Sequence, residues 1–270
     1  MTYNTVESSV YGGEPVELYK IVRGTTRFLY TSASYAITHN SETYQPVSIE
    51  RTEIEQNREI NRSNITVTVP RDLDVADQFR LYPPADIVSM TVFRGHPSDG
   101  EFVTIWAGRI LSVAWSGIRA EMTCEPIFSS LRRTGLRRKY GAMCPHVLYG
   151  VACGVNQISH QLTGPVTVIG SGTLDITGLS GFADDYFMGG FVRFYTQTGL
   201  GDTRFITAHT GGQITIPIGF LELNVGDSVD VFPGCNRTMN DCENKFNNLD
   251  NYGGNPYRPD VNPFGGGSIA

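Results

Sequence analysis

The strongest constraint on the fold of this chain comes from four cysteines in two distant pairs. Cys144 and Cys153 form the first pair, Cys235 and Cys242 form the second, and 81 residues lie between the pairs. Glycine, proline and asparagine surround both pairs, which indicates loops. Thiolates gathered from loops that are far apart in sequence are a common way to hold a metal centre. The second half of the chain is therefore expected to form a binding cage.

The spacing within each pair favours a site larger than a zinc knuckle. Eight residues separate the first pair and six separate the second, whereas zinc knuckles usually place their cysteines about two to four residues apart. On one continuous helix, Cys235 and Cys242 would lie about 10 Å apart along the axis. Because Pro233–Gly234 marks a turn, we expect Cys235 on a loop and Cys242 in a short helix. Thr238 or Asn240 would be the N-cap of that helix.

Several interpretations of the four cysteines remain open at this point. The spacing suits an iron–sulfur cluster, but the same four thiolates could bind zinc. Two disulfides, 144–153 and 235–242, would form in an oxidising compartment. All four could also be buried thiols of an apolar core. Cys124 differs from them, because it ends an alternating segment that predicts a strand, and we expect it to be a core residue.

Four segments of the second half resemble the C-terminal part of phage minor tail protein L, the tail-tip protein of lambda-like siphophages. They are Cys144–Cys153, Pro233–Cys242, Phe246–Asn248 and Asn251–Phe264. The resemblance covers about 120 residues, and its pattern Cys-x8-Cys with Gly-Cys-x-Arg-Thr-x3-Cys-x3-Phe-Asn-Asn is specific. Residues 16–70 are similar only in general character to the start of that family and of its relatives in gene-transfer-agent tails.

The resemblance implies a cofactor, a location and partners. It implies a [4Fe–4S] cluster on Cys144, Cys153, Cys235 and Cys242, all of which are present without substitution. It also implies a hub at the tail tip of the virion, in three copies, joining distal tail and tube proteins to the central fibre. The cluster type and the virion location follow from the family, since spacing alone indicates only a large thiolate site.

Apolar residues at period two predict a mainly β chain of two β-barrel-like or sandwich-like domains with few short helices. In the N-terminal domain, residues 1–135, the alternating segments are 16–22, 43–49, 64–69, 89–93, and a long hairpin over 102–124 that turns near Gly117. One short helix is expected at Asp74–Leu81. The resemblance implies that this domain docks on the tail tube.

The C-terminal domain, residues 136–270, repeats the β pattern between the cysteine pairs. Its predicted strands are 165–169, 173–176, 190–195, 202–209, 213–217 and 227–232. A domain of this kind would bring the pairs together at one end, where a metal centre would staple it. Asn236, Arg237, Thr238 and Asn240 are candidate hydrogen-bond donors to cluster sulfurs, with a solvated loop as the alternative. The glycine-rich end, residues 265–270, is typical of a flexible tail.

The domain boundary carries a short basic stretch. Arg132, Arg133, Arg137, Arg138 and Lys139 place five positive charges in eight residues. A solvated linker, a contact with an acidic neighbouring chain and an electrostatic offset to the cluster all fit this stretch. We favour the protein contact. DNA contact in the tube lumen is not supported, because the net charge is −6 and no aromatic residues are interleaved to stack on bases.

Composition and motifs argue against an enzyme and against a membrane protein. No apolar stretch approaches the roughly 18 residues of a membrane span, and the start lacks the features of a secretory signal, so synthesis in the cytoplasm is expected. The catalytic hypothesis rests on Cys144 with His146, which are too close in sequence to face each other usefully. A redox enzyme would need an open iron position, and four cysteines leave none. His39, His96, His160 and His209 are expected to be surface or strand residues rather than ligands.

Overall fold

The computed structural model describes residues 3–8, 13–54, 63–80, 82–97, 100–132, 135, 140–196, 199 and 201–257. The chain divides into two units, Met1–Arg133 (unit 1) and Thr134–Ala270 (unit 2). Each unit builds an apolar core of its own on a β-sheet. The boundary expected from the sequence, between residues 135 and 136, lies two residues further along the chain than this division.

Nine strands form the sheet of unit 1 in the described part of the chain. In chain order they are β1 (Val16–Arg23), β2 (Thr26–Thr31), β3 (Ile37–His39), β4 (Glu42–Pro46), β5 (Glu50–Arg51), β6 (Ile65–Pro70), β7 (Val88–Gly95), β8 (Phe102–Ser116) and β9 (Arg119–Pro126). Their order across the sheet is β3-β4-β2-β1-β7-β8-β9-β6-β5. Neighbours are antiparallel except β2 and β4, which are parallel.

The core of unit 1 follows from the period-two pattern. In β6, the alternate residues Ile65, Val67 and Val69 are buried and the residues between them are partly exposed. They pack in one cluster with Met90 and Met122 from the neighbouring strands. Alternation in the sequence therefore predicts the buried face of this sheet correctly.

The long hairpin predicted near Gly117 is confirmed. Strands β8 and β9 pair from Ser116 opposite Arg119 to Gly108 opposite Pro126. Gly117 lies in the turn with a φ of 56°, a conformation that residues with a Cβ rarely adopt. The register shifts between Ile110 and Ser112, so the hairpin contains a bulge.

The helices of unit 1 are short. In the described residues they are α1 (Tyr3–Glu7), α2 (Asp74–Asp77) and a 3₁₀ turn at Ile127–Arg132. The helix expected at Asp74–Leu81 thus ends after one turn, and Leu81 lies outside the described residues. The prolines at 83 and 84 prevent a helix from continuing through this stretch, because each lacks an N–H and disfavours helical backbone before it.

Unit 2 contains seven strands, one helix and three 3₁₀ turns in its described residues. The strands are β10 (Leu162–Ile169), β11 (Thr173–Ile176), β12 (Phe191–Tyr195), β13 (Gly201–Phe205), β14 (Ala208–Thr210), β15 (Gln213–Thr215) and β16 (Ser228–Phe232). The helix is α3 (Met239–Asn244), and the 3₁₀ turns are Ile158–His160, Leu179–Gly181 and Leu249–Asn251.

The whole sheet of unit 2 lies between the two cysteine pairs. Its order is β13-β12-β16-β10-β11-β15-β14, and all neighbours are antiparallel. The first strand begins nine residues after Cys153, and the last ends three residues before Cys235. Val192, Ile206 and Val231 are fully buried in its core. The sheet therefore determines how close the two pairs can come.

The structure corrects the predicted barrels, since neither sheet closes over the described residues. The sheet of unit 1 ends in β3 and β5, which are three and two residues long, and the sheet of unit 2 ends in β13 and β14. A closed barrel requires every strand to pair on both sides. Alternation shows only that one face of each strand is buried, and that is equally true of an open sheet.

Two predicted features fall largely outside the described residues. The basic stretch from 132 to 139 does so except for Arg132 and Gly135, and the glycine-rich end from 265 to 270 does so entirely. Within the described ranges, no helix has the length and apolar character needed to cross a bilayer.

Candidate functional site

The four cysteines of the two pairs line one cavity in unit 2. Its volume is about 290 Å³, far more than the roughly 10–15 Å³ that a single water needs. Cys144, Cys153, Cys235 and Cys242 all contribute to its wall, and none of them forms a disulfide. The other lining residues include His146, Tyr149, Gly189, Gly190, Arg237 and Asn251. Residues more than 90 positions apart in sequence thus share one pocket.

Backbone hydrogen bonds hold the first pair in its loop. The Cys144 N–H donates to Arg237 O at 2.9 Å, which ties this loop to the loop of the second pair. The Cys153 N–H donates to Gly150 O at 3.0 Å and closes a turn. Between them, Tyr149 has a φ of 62°. A residue with a Cβ in this region is strained, and such strain persists only where the surroundings fix the conformation.

The second pair follows the local structure predicted from the sequence. Cys235 lies on a loop and Cys242 lies in α3. Thr238 is the N-cap of this helix, since its side chain accepts a hydrogen bond from the Asp241 N–H at 3.3 Å. Arg237 has a φ of 60°, and its N–H donates to Cys235 Sγ at 3.3 Å. The prediction of a loop followed by a capped helix is confirmed.

Tyr149 occupies a central position in the pocket. Its hydroxyl donates to Pro233 O at 2.9 Å, which joins the two cysteine loops. Its ring meets those of Phe191, Phe232 and Phe246 edge to face, with centroids 6.1 to 6.4 Å apart. Burial raises the pKa of this phenol well above its usual value. Tyr149 therefore stays neutral and acts as an aromatic wall with one anchored hydroxyl.

Burial and mutual proximity set the protonation of two thiols. Burial raises the pKa of Cys235, and the nearby Asp241, Cys153 and Cys144 raise it further against the lowering effect of the Arg237 N–H. Burial also raises the pKa of Cys242, and the other three thiols add to that shift. In the metal-free chain these two groups are therefore thiols at neutral pH, and a bound metal would have to displace their protons.

A cation lies close to the thiols. The Lys245 ammonium donates to Tyr186 O and lies over the Tyr186 ring, 4.3 Å from its centroid. Burial lowers the pKa of Lys245, while Asp241 and Cys235 oppose that shift. An anionic centre in the pocket would have this positive charge nearby, and the sequence alone gave no indication of its position.

The residues predicted to donate hydrogen bonds to cluster sulfurs have different roles. Only Arg237 among them bonds to a cysteine sulfur in the described contacts, through its backbone N–H. The Asn236 N–H donates to Asp241 Oδ2 at 2.8 Å, and Asn240 Oδ1 accepts from Asn244 at 2.7 Å. Thr238 caps α3, as described above. These residues shape the loop that carries Cys235 rather than surround its sulfur.

The remaining cysteine and the histidines lie elsewhere or play other parts. Cys124 is fully buried in unit 1, donates to Met122 O at 3.5 Å, and has a pKa raised by burial to about 12. His146 Nδ1 lies 3.1 Å from Asn251 O. The other four histidines are placed as follows: His39 on β3, His209 buried on β14, His96 buried after β7 and His160 at a 3₁₀ turn.

The pocket is not a preformed site for a single metal ion. In the part of the chain that the structure describes, no three His, Cys, Asp or Glu side chains are grouped closely enough to hold one ion. The four cysteines instead line a cavity of about 290 Å³. The predicted metal staple thus stays a prediction, and what the structure provides is the donor set and the room.

Comparisons with known proteins connect this arrangement to phage particles. A family model described as "Baseplate hub protein, N-terminal attachment domain" matches residues 16–156, more than half of the chain. A second, described as "Phage conserved hypothetical protein BR0599", matches residues 185–262. The first match includes one cysteine pair and the second includes the other.

Two individual proteins are similar to this chain. A chain of the solved structure "Virion of native gene transfer agent (GTA) particle" has a TM-score of 0.79 at 16% identity, covering 100% of this chain and 98% of that one, so it shares the fold. An uncharacterized protein of Xylella fastidiosa (strain 9a5c) is 24% identical over 181 residues, which are 62% of this chain and 38% of that protein. The chain therefore matches well under half the length of this relative.

These matches identify the chain, with its two mainly β units, as a structural protein of the phage tail and virion. The chain belongs to the baseplate hub protein N-terminal attachment domain family. It is a component of the virion, at the tail baseplate. The matches support a tail or baseplate protein in general, and the resemblance to minor tail protein L is narrower than what they show.

Proposed function

We propose that this protein is a tail-tip hub of the minor tail protein L type, whose unit 2 is stapled by a [4Fe–4S] cluster on Cys144, Cys153, Cys235 and Cys242. The observation that carries the proposal is that these four cysteines, from two segments far apart in sequence, line one cavity of about 290 Å³. The sheet of unit 2 connects the two pairs, so a cluster would clamp both of its ends. The clamp would be structural.

The pocket suits the cluster in three respects. Four thiolates are the usual ligands of a [4Fe–4S] centre. The cavity that the four cysteines line is larger than one ion needs, and the loops within each pair are longer than those of zinc knuckles. The Arg237 N–H already points at Cys235 Sγ, and Lys245 supplies a nearby positive charge. Hydrogen bonds and charges of this kind stabilise an anionic cluster and adjust its potential.

Metal analysis of the intact protein tests this proposal against its two alternatives. From an anaerobic preparation we expect about four iron and four acid-labile sulfide per chain, the composition of a [4Fe–4S] cluster. Stoichiometric zinc without sulfide would favour a zinc-stapled adaptor. Rapid turnover with an electron donor would favour a redox protein, whereas a cluster ligated by four cysteines leaves no iron position open to substrate. A preparation that contains neither metal contradicts all three.

The partners we propose are the neighbouring tail and tube proteins and the central fibre, in a ring with three copies of this chain. Rings in such assemblies close with cyclic symmetry, and the mass of the purified tail tip measures the copy number. The loops around the cysteines carry exposed apolar side chains, including Val147 and Ile158 at 75% and 78% exposure and a fully exposed Val151. Exposed apolar patches are typical of protein interfaces.

Two substitutions beside the first cysteine pair test the contact with tail proteins. We expect the double variant Val151→Asp, Ile158→Asp to lower the amount of this protein recovered in purified tails by about tenfold, because buried charges disfavour an apolar interface. Western blotting of gradient-purified tails measures it. Val225→Asp, at an exposed valine of the same unit, is the matched control. Equal recovery of the double variant and the wild type would contradict the assignment of this surface.

A further inference from the structure

Asn248 lies between the two cysteine pairs and bonds to a member of each. We propose that it is the positioning residue of the four-cysteine site, which holds Cys153 and Cys242 so that both sulfurs face the cavity. This inference rests on the proposed function but makes a claim of its own about the metal-free chain. It concerns a residue that follows α3 and lies outside the cysteine loops themselves.

Two hydrogen bonds join Asn248 to Cys242. The Asn248 N–H donates to Cys242 O at 2.8 Å, and the Cys242 thiol donates to Asn248 O at 3.1 Å. The backbone reverses at Asn247, whose φ is 46°. Because this turn is held at both the backbone and the sulfur, the direction of the Cys242 side chain depends on the position of Asn248.

The side chain of Asn248 reaches the other pair, 95 residues away in sequence. Its amide Nδ2 donates to Cys153 O at 2.6 Å and lies 3.9 Å from Cys153 Sγ. The first contact fixes the backbone of Cys153. The second is a long, weak hydrogen bond from the same amide to the Cys153 sulfur. One side chain thus sets the distance between a cysteine of the first pair and a cysteine of the second.

A third contact fixes which way the amide points. Asn251 Nδ2 donates to Asn248 Oδ1 at 2.7 Å. Because that oxygen accepts this bond, the NH₂ group must face Cys153. The Asn251 carbonyl in turn lies 3.1 Å from His146 Nδ1, two residues after Cys144. The network therefore reaches the segments of three of the four cysteines.

Two substitutions separate the roles of size and hydrogen bonding. Asn248→Ala removes the amide and its bonds to Cys153. Asn248→Asp keeps the shape but places an oxygen where the donor was, so that it repels Cys153 O and a thiolate at Cys153. We expect the aspartate variant to be the more severe, which a role in packing alone would not produce, since aspartate fills the same space. Asn244 is the matched control, because it is an exposed asparagine on α3 that bonds to Asn240.

The experiment measures alkylation of each cysteine in the metal-free, reduced chain by iodoacetamide and peptide mass spectrometry. We expect Cys153 to react about fivefold faster in Asn248→Ala than in the wild type, which corresponds to about 1 kcal/mol. Cys242 should change less, because its two bonds to residue 248 are made by backbone atoms that alanine keeps. Cys124, fully buried in unit 1, is the internal standard and should not change. Asn244→Ala and Asn244→Asp should leave all rates at wild-type values.

A second readout uses the iron-loaded protein. Loss of the donor near Cys153 should shift the midpoint potential of the cluster to more negative values in Asn248→Ala, and further in Asn248→Asp because of the added charge. If a variant at 248 does not fold, Asn251→Ala tests the same network, since it frees the amide to turn away from Cys153. Faster alkylation of Cys153 in that variant supports the inference, and an unchanged rate overturns it.

The outcomes distinguish this inference from the proposed function. Unchanged alkylation of Cys153 in folded variants at 248 overturns the positioning role, whatever metal the protein binds. A wild-type protein that takes up neither iron nor zinc overturns the cluster, while the alkylation rates still decide the role of Asn248.

Discussion

Replacing Cys144 with serine is expected to prevent binding of the proposed cluster, destabilise unit 2 and stop the assembly of infectious particles. Serine offers a hard, protonated oxygen in place of a soft thiolate, and it is a poor ligand for an iron–sulfur cluster. Cys144 contributes to the cavity wall beside the other three cysteines. Without this ligand, the 81-residue connection between the pairs would no longer be closed by the cluster.

The expected loss of stability is on the order of 4 kcal/mol for unit 2. This magnitude is the entropy of closing a loop of such length, by analogy with long-loop disulfides, before any metal–ligand energy is counted. Iron and sulfide per chain, denaturant unfolding and phage titre measure the three effects. Cys124→Ser is the matched control, because its sulfur is buried in unit 1 and bonds to Met122 O. Equal loss of iron in both variants would contradict the assignment of the ligands.

The local structure around the cysteines could be predicted because it depends on near neighbours in sequence. The loop position of Cys235 and the capped helix of Cys242 follow from backbone preferences of residues within a few positions of one another. The same is true of the hairpin at Gly117, where the turn residue and the alternation on both sides agree.

Other parts of the pocket could not be predicted because they depend on which segments meet. Tyr149 and Lys245 look like ordinary loop and helix-end residues in the sequence, and only the fold brings them to Pro233 and Tyr186. Asn248 is part of the Phe-Asn-Asn motif, but its bonds to Cys153 span 95 residues. The motif marked this position as distinctive, although it gave no indication of its partner.

The positions of the strands in the sequence were easier to predict than their arrangement in the sheets. Alternation identified most strands of both units but gave no information on closure. Closure depends on whether the edge strands meet, and edges such as the two-residue β5 are too short to leave a pattern in the sequence. The barrel prediction was wrong because closure depends on long-range strand pairing, which is set by register and twist over the whole sheet.

Gly234→Ala is expected to destabilise unit 2 by about 3 kcal/mol, because this position has no room for a side chain. A Cβ at 234 would lie 2.0 Å from Met188 O, 2.3 Å from Gly189 C and 2.4 Å from Gly190 N. All three are backbone atoms, so they cannot rotate away as the end of a flexible side chain could. The backbone itself would have to move.

That movement would also reach the cysteine pocket. Gly189 and Gly190 line the cavity, and Cys235 follows Gly234 directly, so we expect the variant to hold iron less tightly as well as unfold earlier. Gly212→Ala is the matched control, since a Cβ there meets no atom within 4 Å and the residue lies in the same unit. The test is denaturant unfolding of both variants, with iron content measured in parallel. A Gly234→Ala protein as stable as Gly212→Ala would show that the two cysteine loops tolerate displacement, and the cavity would then be too pliable to select a cluster by its shape.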